Sequence, residues 1–164
     1  MTRDSSSSVR ARRGAFRRRG PTRSPDDDAP VFLRISTTDW IEENSEDPRD
    51  SWTYEQSARL TTWAGQHGVD LVDASSGGTD IVPIPHDADY QTRYAARLRQ
   101  DTTVPIAAVG RVKDAEQAEE LIGSGAADAV LVGREMLRDP SWANRASRAL
   151  GAEPRFITQY AYAL

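Results

Sequence analysis

Two short apolar runs in this chain each stop at Gly-Arg. Ile106–Val112 reads IAAVGRV, and Asp128–Pro140 reads DAVLVGREMLRDP. Both runs are apolar with β-branched residues, hence strand-like, and both lead into helical patterns. Asp114 stands where it can cap the first helix, and the second run passes directly into Glu135-Met136-Leu137. Glycine lets the backbone approach an anion, arginine offers a charged fork, and the N–H groups at a helix start add donors. An α/β barrel builds a phosphate cradle in this way after its last two strands. A phosphate held there points to a nucleotide-like cofactor.

The same alternation runs back to Pro30. Strands are expected over Val31–Ser36, Val69–Asp73, Val104–Val109 and Asp128–Val132. Helices are expected over Thr53–His67, closed by Gly68, and over Asp87–Gln100, Asp114–Gly123 and Pro140–Leu150. Consecutive βα units predict a parallel sheet with right-handed crossovers. An open doubly wound sheet carries its Gly-rich turn after the first strand. Here the Gly-Arg pairs follow the third and fourth strands. The fold class expected is therefore α/β, the C-terminal half (last four βα units) of a TIM (β/α)8 barrel. A whole barrel takes about 250 residues, and this chain has 164.

The first 29 residues differ from the rest. Ser5–Ser8 is a serine run, the stretch from Arg10 to Arg23 is arginine-rich, and Asp26–Asp28 is acidic. Such a segment buries too little apolar surface to offset its ordering entropy. The organisation expected is a disordered tail over 1–29 and a partial barrel domain over 30–164. The net charge of −4 hides this basic tail on an acidic remainder. Phe16 is the only aromatic residue among the arginines, so no stacking platform for nucleic acid is evident. No apolar run approaches the roughly 20 residues of a membrane span. The chain has no cysteine, so disulfides and thiolate chemistry are excluded. His67 and His86 have no ligand-type neighbours at metal spacing. These features predict a cytoplasmic protein with no membrane, nucleic-acid or metal partner.

Four segments carry a family likeness. FLRISTTDW (Phe32–Trp40), GVDLVDASSGG (Gly68–Gly78), AAVGRV (Ala107–Val112) and ADAVLVGREMLRDPSWANRAS (Ala127–Ser147) resemble the C-terminal half of the Old Yellow Enzyme family. The likeness covers Pro30 to about Tyr160 and is nearest to the bacterial NADPH dehydrogenases and ene-reductases. It implies an FMN-binding partial TIM barrel whose reductant is NAD(P)H and whose substrate is an activated alkene or another small electron acceptor. It also implies a truncated and impaired enzyme, because the family's substrate-holding histidine pair and proton-donating tyrosine belong to the other half. The alternative is a non-catalytic half-barrel that binds phosphate ligands or pairs with a separately encoded N-terminal half.

The resemblance assigns roles to particular residues. Arg34 would face the flavin edge where negative charge develops on reduction. Taken from the residues alone, Arg34 is equally an arginine on an apolar strand that needs an ion-pair partner in Asp39 or Asp73. Gly133 and Arg134 would be the main phosphate contact, with Gly110 and Arg111 as the second arm. In that second arm the Gly110 backbone is a better donor than the Arg111 side chain. Arg34, Gly110, Gly133 and Arg134 are expected to converge at the C-terminal ends of the strands. Ser75-Ser76-Gly77-Gly78 is either a flavin-rim loop or an ordinary turn. Two departures stand out: Ala88-Asp89 where the family commonly has Pro-Gly, and Gln159-Tyr160-Ala161-Tyr162 where it often has Gln-Tyr-Glu-Arg. The second removes an arginine that would reach a neighbouring subunit. Two open edges, Val31–Ser36 and Asp128–Val132, predict self-association. Val31, Leu33, Ile106, Val130 and Val132 are expected to line the open inner surface.

Overall fold

The computed structural model describes residues 29–43, 46–47, 49–78, 82–87, 89–155 and 157–159. The expected tail, apart from Ala29, and the departures at Ala88 and Tyr160–Tyr162 lie outside the described residues. The strands are β1 (Phe32–Ser36), β2 (Leu71–Ser75), β3 (Ile106–Val109) and β4 (Ala129–Leu131). The helices are α1 (Tyr54–Gln66), α2 (Thr92–Asp101), α3 (Ala115–Gly123), α4 (Arg134–Arg138) and α5 (Trp142–Ala149).

All three strand pairings are parallel, and the sheet order is β1-β2-β3-β4. The strand order never reverses. A doubly wound sheet reverses at its switch point, whereas a barrel adds each strand beside the last. The half-barrel reading therefore stands, with β1 and β4 as the edges.

Local chemistry explains the helix starts. Thr53 and Gln56 form a reciprocal capping box at α1: the Gln56 N–H donates to Thr53 Oγ1 at 3.4 Å, and the Thr53 N–H donates to Gln56 Oε1 at 2.9 Å. Asp114 caps α3 by accepting the Gln117 N–H at 2.8 Å. At the far end of α1 the chain leaves through His67 and Gly68, whose φ is +94°.

One face of the sheet is covered by α1 and α2. Ile35, Val72, Ala74, Ile106 and Ala108 meet Tyr54, Tyr94, Ala95 and Leu98 there. Side chains alternate across a strand, so the opposite, inner face carries Phe32, Arg34, Asp73, Ala107 and Leu131. This corrects the expected inner lining. Ile106 is fully buried beneath the helices, and Leu33 packs against the same core. Val130 pairs with Ala108 on that side. The runs of β3 and β4 alone did not reveal which parity faced the helices, because both strands are apolar on both faces.

Candidate functional site

The strand ends carry four loops, and two of them are knitted together. The Thr37 N–H and Oγ1 both donate to the Ser75 carbonyl, at 2.8 and 2.6 Å. The Gly77 N–H donates to the Thr38 carbonyl at 3.0 Å. Gly77 has φ +71°, and a Cβ there would lie 2.9 Å from Trp40 Nε1. The loop from Ser75 to Gly78 is thus shaped by its contact with buried Trp40. Ser76 is buried too, and its hydroxyl has no partner among the described residues.

Trp40 anchors an aromatic cluster that the sequence reading did not single out. Its ring stacks on Tyr90 at 6.2 Å between centroids and meets Tyr94 edge-on at 5.4 Å. The Arg93 guanidinium lies 5.1 Å from the Trp40 ring centre. The helical spacing of Tyr90 and Tyr94 places both on one side of the expected second helix, but nothing in the sequence ties them to Trp40, which comes from the loop after β1.

The two Gly-Arg pairs lie at the same end of adjacent parallel strands. Val109 pairs with Leu131, and the chain reaches Gly110 and Gly133 just beyond. Their surroundings differ. Gly110 has φ +114°, and a Cβ there would stand 2.1 Å from Gln91 Oε1. Arg111 is also left-handed, at φ +53°. Its guanidinium donates to the carbonyls of His86 and Asp87, the latter at 3.0 Å, and sits 4.7 Å from the Tyr90 ring centre. It braces the loop before α2 instead of turning to the strand ends.

Around Gly133 there is open space: among the described residues, no atom beyond its chain neighbours lies within 4 Å of where a Cβ would be. Arg134 is exposed and has no hydrogen-bond or ion-pair partner among the described residues. The second pair thus leaves a glycine unused by packing next to a guanidinium unused by the fold. Such a place suits an anion. The helix contribution expected there is small, because α4 has only 5 residues. At α3 the Asp114 carboxylate already occupies the N-terminus.

Arg34 stands apart from this rim. It is the third residue of β1, at the opposite edge, three strand spacings of about 4.8 Å from β4. Its guanidinium Nη1 lies 3.1 Å from Asp73 Oδ2, so Asp73 is its ion-pair partner on the inner face. The Arg34 side chain is 61% exposed and that of Asp73 only 9%. Burial pushes the Asp73 carboxyl above the ordinary carboxylate range, and Arg34 pulls it partly back. The four residues expected to converge therefore divide into a rim group of Gly110, Gly133 and Arg134 and an inner-face cation at Arg34.

The parallel βα sheet thus presents one exposed arginine, Arg134, just beyond β4 and another, Arg34, on its inner face. The chain belongs to the NADH:flavin oxidoreductase / NADH oxidase family, whose model matches residues 23–153. It is 32% identical over 133 residues to an NADPH dehydrogenase of Bacillus subtilis, which covers 81% of this chain and 37% of that protein. It is 36% identical over 135 residues to an NADPH dehydrogenase of Geobacillus thermodenitrificans, with the same coverages. The chain thus spans 37% of the length of these curated relatives. Among solved structures it is similar to morphinone reductase, with TM-score 0.49 and 19% identity over 77% of this chain and 31% of that one. Among the described residues no helix is long and apolar enough to cross a membrane.

Proposed function

We propose that this chain carries part of an FMN site and serves FMN-dependent oxidoreduction driven by NAD(P)H, with an activated alkene or related small molecule as acceptor. When bound, FMN supplies the two-electron chemistry, taking hydride from a nicotinamide and passing it to the acceptor. Arg34 offers a fixed positive charge to the flavin edge that becomes more negative on reduction. Arg134 holds the phosphate through its guanidinium, and the Gly133 backbone lets the phosphate approach closely. The Gly110 backbone closes the other side, and Arg111 keeps the neighbouring loop in place.

The observation that carries this reading is the contrast between the two Gly-Arg pairs. Packing against Gln91 accounts for Gly110, and the carbonyls of His86 and Asp87 engage Arg111. Among the described residues no packing contact accounts for Gly133, and Arg134 has no partner. Two further supports are an exposed arginine on the inner face and the family membership. Self-association belongs to the same reading: Phe32 is 61% exposed on edge strand β1, and Leu131 is 39% exposed on edge strand β4.

Titration of the purified chain by flavin fluorescence tests the site. FMN is expected to bind, with inorganic phosphate competing. Arg134→Ala is expected to weaken FMN about tenfold, the scale of a lost charge-assisted contact. Phosphate-insensitive binding, or Arg134→Ala behaving as wild type, would overturn the assignment.

A further inference from the structure

We propose that Asp73 is a positioning residue for Arg34, holding the guanidinium oriented on the inner face for the anionic edge of the ligand; this rests on the FMN reading above. The two residues are Cα partners on adjacent parallel strands, and their side chains share the inner face. One carboxylate oxygen, Oδ2, meets Arg34 Nη1 at 3.1 Å. The other, Oδ1, is buried with no hydrogen-bond partner among the described residues.

That geometry makes a poor folding device. Burying a carboxylate with one oxygen unpartnered costs stability, and a largely exposed arginine returns little of it. The remaining inner-face positions of the four strands are apolar or serine. So among the strand positions of this face, Asp73 has no other cation beside it and Arg34 no other anion. A residue that works against stability while fixing one cation beside a ligand surface is expected at a functional site. Without it, the long arginine side chain would sample many rotamers and lose that freedom on meeting the ligand. Asp73 also tempers the charge of Arg34, so the pair presents a directed donor instead of a bare cation.

The test uses the full chain as wild type, Asp73→Asn, Arg34→Gln and the double variant. Binding of FMN, and of riboflavin as the flavin without its phosphate, is read by fluorescence. NMR of the Arg34 guanidinium reads its rotation without any ligand. Asp73→Asn is expected to weaken both flavins about fivefold, and the double variant is expected to bind no more weakly than Arg34→Gln alone. The guanidinium signals should report hindered rotation in wild type and free rotation in Asp73→Asn, with no loss of melting temperature at neutral pH. Unchanged flavin binding in Asp73→Asn, additive losses in the double variant, or unchanged guanidinium rotation would each overturn the positioning role. Wild type that fails to bind FMN would overturn the functional reading instead, and the guanidinium rotation would then decide Asp73 alone. Asp73→Ser, read in the same way, replaces Asp73→Asn if that variant does not fold.

Discussion

Gly110 and Gln91 are in such close approach that a methyl group on Gly110 would lie 2.1 Å from Gln91 Oε1. Gln91 also donates from Nε2 to the Ser76 carbonyl at 3.1 Å. One side chain thereby ties the loop after β2 to the turn after β3. The left-handed backbone of Gly110 adds a second reason for glycine. Gly110→Ala is expected to destabilise the fold by about 1–3 kcal/mol, measured by urea unfolding. Adding Gln91→Ala should remove the clash with Oε1 and leave the backbone strain together with a tight 3.0 Å approach to the Cβ of residue 91.

The two arginines that follow the glycines should part company on mutation. Arg111→Met removes two carbonyl contacts and the stacking on Tyr90. It is expected to cost about 1 kcal/mol of stability while phosphate still competes with FMN. Arg134→Ala touches no partner among the described residues and is expected to change stability by less than about 0.5 kcal/mol. Unfolding curves beside flavin titrations of both variants check this separation. Equal losses of affinity in the two would contradict it.

Tyr54 and Tyr94 tie the helices to acidic partners, and their phenols make the fold sensitive to alkali. The Tyr54 hydroxyl donates to Asp101 Oδ2 at 2.5 Å, and that of Tyr94 donates to Glu43. Burial first, and these carboxylates second, raise both phenols well above their ordinary value of 10.0. With the folded value raised, the unfolded chain releases its protons first as pH rises. The stabilisation is therefore complete below pH 10 and is lost progressively above it. Melting temperature should fall above that pH, and Tyr54→Phe and Tyr94→Phe should each flatten the fall.

Most of the framework was legible because it rests on local signals. Gly68 ended α1, Asp114 capped α3, and β3 and β4 emerged from β-branched runs stopping at Gly-Arg. Boundaries shifted where tertiary contacts decide them. The second helix was expected from Asp87, but α2 begins at Thr92 because Gln91, Arg111 and Tyr90 hold the preceding segment in loop form. The inner face was misread at Leu33, Ile106 and Val130: β3 and β4 are apolar at both parities, and the charges of Arg34 and Asp73 on β1 and β2 mark the inner face only once strand register joins the four. For Arg34 the sequence left Asp39 and Asp73 open as partners, and strand register selects Asp73. The different fates of the two Gly-Arg pairs were not legible, because they depend on Gln91, which packs against Gly110 and not against Gly133.

Amide NMR of the labelled chain, titrated in parallel with FMN and with inorganic phosphate, addresses the assignment of the two cations directly. Phosphate is expected to shift Gly133 and Arg134 and to leave Arg34 and Asp73 unmoved. FMN is expected to shift all four, because its phosphate meets the rim and its ring meets the inner face. FMN shifts confined to residues outside this set, or an Arg34 signal indifferent to FMN at saturation, would contradict the proposed site.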